Sequence, residues 1–313
     1  MISKALVGYT GFVGSNLNAY GDFQNVYNTK NINEAFGLKP DILIYAGLRA
    51  EKYIANKFPE RDFDNIQGAI QNIKKINPKQ LVLISTIDVY DKPNNVDENT
   101  EIKEENLAAY GKNRLYLEKW VQENINKYLI LRLPGLYGIN IKKNFIYDYI
   151  YKIPKLLNEK KYFELCEKNH DLKQYYLLND DGFYQVKMLN SEQKVALLHI
   201  LDNLNFSALN FTDSRGIFQY YNLRYLAKDI NIALNNKISK LNLSTEPISI
   251  SELYFSLTGN EFKNEIAANP PFYNFKTIHD GFFGGENGYI TNKRVVLSEI
   301  REFISAYSEN IGR

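Results

Sequence analysis

The sequence predicts an α/β protein: a doubly wound parallel sheet with helices on both faces, followed by a smaller α+β lobe. Two patterns and one motif carry that expectation. Short apolar runs recur through the first 142 of 313 residues, and "DILIYAG" (41–47) is almost unbroken, as suits a strand covered on both faces. Helical patterns separate these runs, the alternation expected of βαβ units. Three glycines, Gly8, Gly11 and Gly14, stand between the first run and the first helix.

In chain order, "KALVGY" (4–9) reads as a buried strand and "SNLNAY" as the start of a helix. "NVYN" (25–28) reads as a second strand and 41–47 as a third. A helix is expected over 61–76, a strand over 81–90 ("LVLISTIDVY"), a helix over 110–125 and a strand over 128–134 ("YLILRLP"). After Gly138 the chain becomes aromatic-rich and irregular. The segments 193–204, 209–214 and 220–234 look able to rejoin the sheet, and "EIREFISAY" reads as a terminal helix. The domain expectation is therefore a sheet domain over 1–142, rejoined by parts of 185–235, with 143–184 and 236–313 forming the smaller lobe.

Composition narrows the function classes. With 44% hydrophobic and 24% charged residues, the chain has the balance of a folded globular protein. Lys plus Arg number 38 against 36 Asp plus Glu, so no strong field draws nucleic acid or an acidic membrane. No apolar run approaches the length of a membrane span. One cysteine, Cys166, allows no internal disulfide, and with His170 as its sole neighbouring histidine it makes a poor zinc site. His199 and His279 complete no metal-ligand spacing. The expectation is a cytoplasmic protein with no metal, no nucleic-acid partner and no membrane partner.

The glycine turn points to chemistry. Gly8 permits a tight bend, Gly11 lets a ligand's pyrophosphate approach the backbone, and Gly14 lets helix and strand pack closely. The N–H groups and positive end of the following helix favour a phosphate. A plain tight turn needs glycine too, but this one closes the first strand of a βαβ series. That position favours a Rossmann-type dinucleotide site built from Gly8, Thr10, Gly11, Phe12, Val13 and Gly14. At the end of the second strand an acid would bond the adenosine ribose of NAD. Asn28 stands there, with Lys30 two places on, so the cofactor reads as NAD or NADP with a lean to NADP.

Further motifs carry a resemblance. "GYTGFVGS" is similar to the G-x-x-G-x-x-G of the extended short-chain dehydrogenase/reductase superfamily, the branch rich in sugar-nucleotide epimerases, dehydratases and reductases. "IYAG" resembles its third-strand segment beside the cofactor, which brings in Ala46 and Gly47. "NIQGA" (65–69) resembles Asn-Val-x-Gly-Thr, "ISTIDVYD" the strand with the catalytic Ser or Thr, "YGKNR" Tyr-x-x-x-Lys, and "LRLPGLYG" Arg-x-x-x-Val-Tyr-Gly. These fall in the family's order over about the first 140 residues. "VYDK" and "YGKNRLYLE" look closest to the dTDP-4-dehydrorhamnose reductases.

The resemblance implies roles. Tyr110 would exchange the proton while hydride moves, Thr86 would hold the reacting oxygen, and Ser85 is its neighbouring candidate. Asp88, Arg132 and Asn144 fall where the substrate is expected. Arg114 departs from the family's lysine, four residues after Tyr110 and so on the same helical face. It keeps a cation for ribose and tyrosine but does not readily release a proton. Where the dehydratases place Asp-Glu, this chain has Ile87 and Asp88, which argues against dehydration. The implied activity is that of an NAD(P)-dependent keto-sugar reductase or epimerase acting on a nucleotide-activated sugar in surface polysaccharide biosynthesis, as a homodimer. The alternative is a dinucleotide-binding sensor or scaffold that has lost chemistry. "DGFFGGENGYI" (280–290) reads as a lid or a plain surface turn.

Overall fold

The computed structural model describes residues 2–311. Strand β1 (Lys4–Val7) leads through the glycine turn into helix α1 (Phe12–Tyr20). There follow β2 (Asn25–Tyr27), β3 (Ile42–Tyr45), α2 (Lys52–Lys57), α3 (Pro59–Ile76), β4 (Leu81–Thr86), α4 (Ala109–Asn124) and β5 (Tyr128–Leu133). With a short strand at Lys240–Asn242 these strands form one six-stranded sheet, ordered 240–242, β5, β4, β3, β1, β2. Each of its recorded pairings is parallel, with Val7 opposite both Tyr27 and Tyr45. The chain runs outward from β1 to β2 and then resumes on the other side at β3. The sheet order therefore switches direction beside the glycine turn, where doubly wound sheets bind ligands.

Strand periodicity explains the two-sided core. Ala5, Val7, Leu43, Leu81 and Leu83 face one way and pack against Ile66, Ile70 and Ile73 of α3 with Leu117 and Val121 of α4. Leu6, Ile44, Val82 and Leu131 face the other way and meet Leu17 of α1 with Leu226 and Ile230 of the helix Leu226–Asn235. Helix α3 begins with Pro59 in its first turn, carries Glu60 and Asp62 at its positive end and Lys74 and Lys75 at its negative end, and stops at left-handed Asn77. Its buried residues recur every three or four positions, which is why it lies flat on the sheet.

The described chain divides into two compact units. The first comprises residues up to Ile141, 217–248 and 271–303, and the second comprises 142–216, 249–270 and Ile304 onward. The sheet unit is thus rejoined at 217, later than the expected start at 185. Residues 193–203 of the segment 193–204 lie in a helix, Ser191–Asn203, whose buried Leu197 and Leu201 pack against Leu157, Leu165 and Leu172 of the second unit. Four-residue spacing gives that helix a single apolar stripe. Residues 209–214 form no strand but follow a 3-10 turn, Ala208–Phe211. Conversely, 236–248 and 271–303 go with the sheet unit, because Lys240–Asn242 pairs with β5 and fully buried Phe275 packs with Ile87, Val89 and Leu115.

The glycine-rich segment 280–290 is tied to itself. Asp280 accepts from the N–H groups of Gly281 and Gly288 at 3.0 and 2.7 Å, and Glu286 and Tyr289 exchange backbone bonds at 3.0 Å. Among the described residues no helix is long and apolar enough to cross a membrane, and no group of three or more His, Cys, Asp or Glu is placed to hold a metal ion.

Candidate active site

The glycine turn fits the anionic middle of a dinucleotide. Gly8 has φ of +94°, and a Cβ there would lie 2.4 Å from the Ala46 carbonyl oxygen. A Cβ on Gly14 would lie 2.0 Å from the Gly8 carbonyl oxygen, so any side chain there forces α1 off the strand. Gly11 differs: it is exposed, and its added Cβ would meet only the Gly8 carbonyl, at 3.3 Å. Backbone is bare on that side. No side chain caps the start of α1 and no acidic residue sits in its first turn, so the positive end of the helix is unopposed. Tyr9, Thr10, Phe12 and Val13 complete the turn. Ala46 and Gly47 border it through the Ala46 N–H, which donates to the Val7 carbonyl at 2.9 Å. Asn28 shapes the loop after β2, accepting from the Lys30 N–H at 2.9 Å.

Thr86 closes β4 at the same edge of the sheet. Its Oγ1 accepts from the Asp88 N–H at 3.2 Å and so starts the single 3-10 turn Ile87–Val89. Tyr110 lies in the first turn of α4. Gly111 lets that turn reach the strand end, since a Cβ there would lie 2.0 Å from the Asp88 carbonyl oxygen. The Tyr110 N–H donates to Asn56 Oδ1 of α2 at 2.9 Å, fixing the turn from the other side. The phenol lies near Thr86. Burial, the largest influence, pushes Tyr110 above its ordinary value near 10; Asp88 and Asp62 add to that, while Arg114 and Thr86 oppose it. Tyr110 is therefore a neutral proton donor throughout the physiological range.

Arg114 sits one turn along, its guanidinium 4.3 Å from the centre of the Tyr110 ring. Its other contacts redirect it. It is ion-paired with Asp62 of α3, and it donates to the Arg49 carbonyl at 2.6 Å. Asn113 donates to the same Asp62 carboxylate at 2.9 Å. With Arg114 and Asp62 only 3% and 7% exposed, this is a buried clamp between α3 and α4, with the tyrosine ring as its lid.

Ser85 and Arg132 are brought together, but with Glu118. Ser85 and Arg132 are partners in the β4–β5 register. Ser85 donates to Glu118 Oε1 at 2.5 Å, and Arg132 donates to Glu118 Oε2 at 2.6 Å and to the Tyr90 hydroxyl at 2.6 Å. This network is buried and welds α4 to the sheet. Asn144 belongs to the second unit. There its Oδ1 accepts from the N–H groups of Ile146 and Tyr147 at 2.9 and 3.3 Å, capping the helix Phe145–Tyr151. One turn on, burial pushes the Asp148 carboxyl up to about 7.

Four contributors escaped the sequence reading: Lys52, Asn56, Asp62 and Tyr273. Lys52 Nζ lies 2.8 Å from Asp88 Oδ1, and the Tyr273 hydroxyl donates to the same oxygen at 3.0 Å. No spacing rule links positions 52, 88 and 273. For Asp62 the available signal was an acid in the first turn of α3, which helix electrostatics explains equally well.

No protein-family model matches the sequence, and no curated protein matches it. Solved structures do match in fold. A dTDP-4-dehydrorhamnose reductase from Clostridium acetobutylicum is 15% identical, with 98% of this chain and 99% of that one covered and a TM-score of 0.61. RMD from Pseudomonas aeruginosa, solved with NADPH, is 13% identical over 98% and 99% at 0.64. A UDP-glucose 4-epimerase from Thermotoga maritima, solved with UDP-glucose, is 11% identical over 99% of both chains at 0.63. The likeness spans nearly the whole chain, both units included. The resemblance first read from short motifs is thus one of entire architecture, and the chain has the fold of the extended short-chain dehydrogenases/reductases.

Proposed function

We propose that the protein is an NAD(P)-dependent oxidoreductase that reduces the keto group of a nucleotide-activated sugar. The observation that carries this is the neutral Tyr110 phenol, beside Thr86 at the same sheet edge as the bare glycine turn. A bound nicotinamide dinucleotide would supply the hydride. The turn Gly8–Gly14 and the start of α1 would hold its diphosphate, and Asn28 with Lys30, where no acid stands, favours NADP. Thr86 would hold the carbonyl oxygen and Tyr110 would protonate it as negative charge develops. Starting an epimerisation by oxidation asks the reverse, a phenolate, which burial disfavours here. Reduction is therefore the direction the site suits. The sugar nucleotide itself is supported by the fold's likeness to enzymes named for such substrates. A cytoplasmic homodimer serving surface polysaccharide biosynthesis is the setting this reading implies, with α4 one of the helices through which copies pair.

The test is direct. Purified protein mixed separately with NAD, NADH, NADP and NADPH is expected to gain thermal stability, most with the NADP pair. At a hundredfold excess over Kd that gain corresponds to about 2.7 kcal/mol. Silence with all four removes the reading.

The buried Arg114–Asp62 clamp favours one other reading, a sensor or scaffold that binds dinucleotide without turnover. The two separate in Arg114→Lys. An enzyme is expected to keep or lose activity on this change. A sensor is expected to be silent as wild type, and gain of turnover in the variant would establish it.

A further inference from the structure

Near the carbonyl-binding pair the sheet unit carries a second polar cluster, Lys52, Asp88 and Tyr273, that the reading above does not use. It begins at Thr86 itself, since the Asp88 N–H rests on Thr86 Oγ1 at 3.2 Å. Lys52, from the helix after β3, places Nζ 2.8 Å from Asp88 Oδ1 and 3.2 Å from the Tyr273 hydroxyl. Tyr273 donates to the same Oδ1 at 3.0 Å, and its ring stacks on Phe218 at 5.6 Å between centroids. The cluster is thus held from three distant stretches of chain.

Donor and acceptor bookkeeping shows what it lacks. A lysine ammonium has three N–H groups. Two are taken, by Asp88 and Tyr273, and one is left. The Asp88 carboxylate receives both bonds on Oδ1, and its Oδ2 accepts none among the described residues. The side chains are 46% and 20% exposed, so water or a ligand reaches both. One unused donor beside one unused carboxylate oxygen matches a hydroxyl group, which accepts from the first and donates to the second. An anion such as a phosphate would satisfy the ammonium but face the carboxylate.

We propose that Lys52 and Asp88 read a free hydroxyl on the sugar carbon beside the keto carbon, with Tyr273 as the residue that positions Lys52. The proposal rests on the keto-sugar reductase reading. Arg114 strengthens it from the opposite direction: with its guanidinium enclosed by Asp62, the Arg49 carbonyl and the Tyr110 ring, it is not the cation that meets the substrate.

The experiment uses NADPH with two probes: dTDP-4-dehydrorhamnose, and the analogue in which the hydroxyl beside the keto carbon is replaced by hydrogen. Wild type is expected to favour the hydroxylated probe by about 10- to 100-fold in kcat/KM, the range of a hydrogen bond to a charged group. In Lys52→Met that preference is expected to fall below threefold, mainly through a raised KM for the hydroxylated probe, with NADPH affinity unchanged. Tyr273→Phe is expected to lose part of the preference. If wild type reduces both probes equally, or Lys52→Met keeps the wild-type preference, the inference is overturned and the reductase reading stands. If wild type reduces neither probe, both are overturned together.

Discussion

Replacing Tyr110 with phenylalanine is expected to lower kcat for keto-sugar reduction by about 10²- to 10⁴-fold, the usual contribution of a positioned proton donor. NADPH affinity and KM should change little. The phenyl ring retains the volume and the stacking surface over which Arg114 lies, so the clamp beneath it persists and only the proton is lost. Loss of kcat and kcat/KM in equal measure marks an interaction made in the transition state. A drop of less than tenfold would move the donor elsewhere. The wild-type pH profile provides an independent reading of the same group. Burial raises Tyr110 above its ordinary value near 10, so the protonated form that reduction needs persists across the neutral range. The rate of reduction should therefore show no loss attributable to this group as pH rises toward 10. Oxidation of the corresponding alcohol needs the phenolate and should climb over the same interval. A group titrating between pH 6 and 8 in the reductive profile would contradict this assignment.

How far the sequence disclosed this site depends on whether the information is local. Gly8, Gly11 and Gly14 declare a turn within seven residues, and the apolar runs at 41–47 and 81–90 contain their own evidence of two-sided burial. The strand at 81–90 was read too long because "IDVY" continues the apolar texture, whereas Thr86 caps a 3-10 turn at Ile87 and ends the strand there. Short strands give periodicity little to read, and of the two three-residue strands in this sheet only Asn25–Tyr27 was anticipated. Lys240–Asn242 becomes an edge strand only because Leu241 and Leu243 find the core face already built by the other strands. The helix 191–203 shows the converse, since its 3.6-residue pattern announces a helix and is silent about which unit covers it.

Side-chain partnership was the least legible feature. That Arg114 shares a helical face with Tyr110 follows from their spacing, and the cation is indeed beside the ring. That the same cation belongs to Asp62 could not be read, because the pairing joins positions 52 residues apart through the packing of α3 on α4. The same limit applies to Arg132 and Ser85. Each sits on a strand named correctly, yet the partner that organises both is Glu118, on a helix between them in sequence. Glu118 closes the stretch "YGKNRLYLE" and carried no stated role until the fold brought it to the sheet.

Asp62→Ala is expected to destabilise the protein by about 3–5 kcal/mol, because it leaves the Arg114 guanidinium buried with one backbone carbonyl in place of a carboxylate. Arg114→Met should cost a comparable amount by stranding the Asp62 carboxylate, whose remaining side-chain partner is Asn113. In the double variant Asp62→Ala with Arg114→Met neither charge is left alone, so its loss should fall well short of the sum of the two. Urea midpoints of the four proteins close this cycle, provided the slopes agree. Strict additivity would mean that the two side chains do not act as a pair. The outcome bears on chemistry too. The buried pair holds the Arg114 cation against Asp62 and beside the Tyr110 ring. The cation's field at the Tyr110 oxygen is opposed by Asp88 and, more weakly, by Asp62, and burial remains the largest influence, so the phenol keeps its proton.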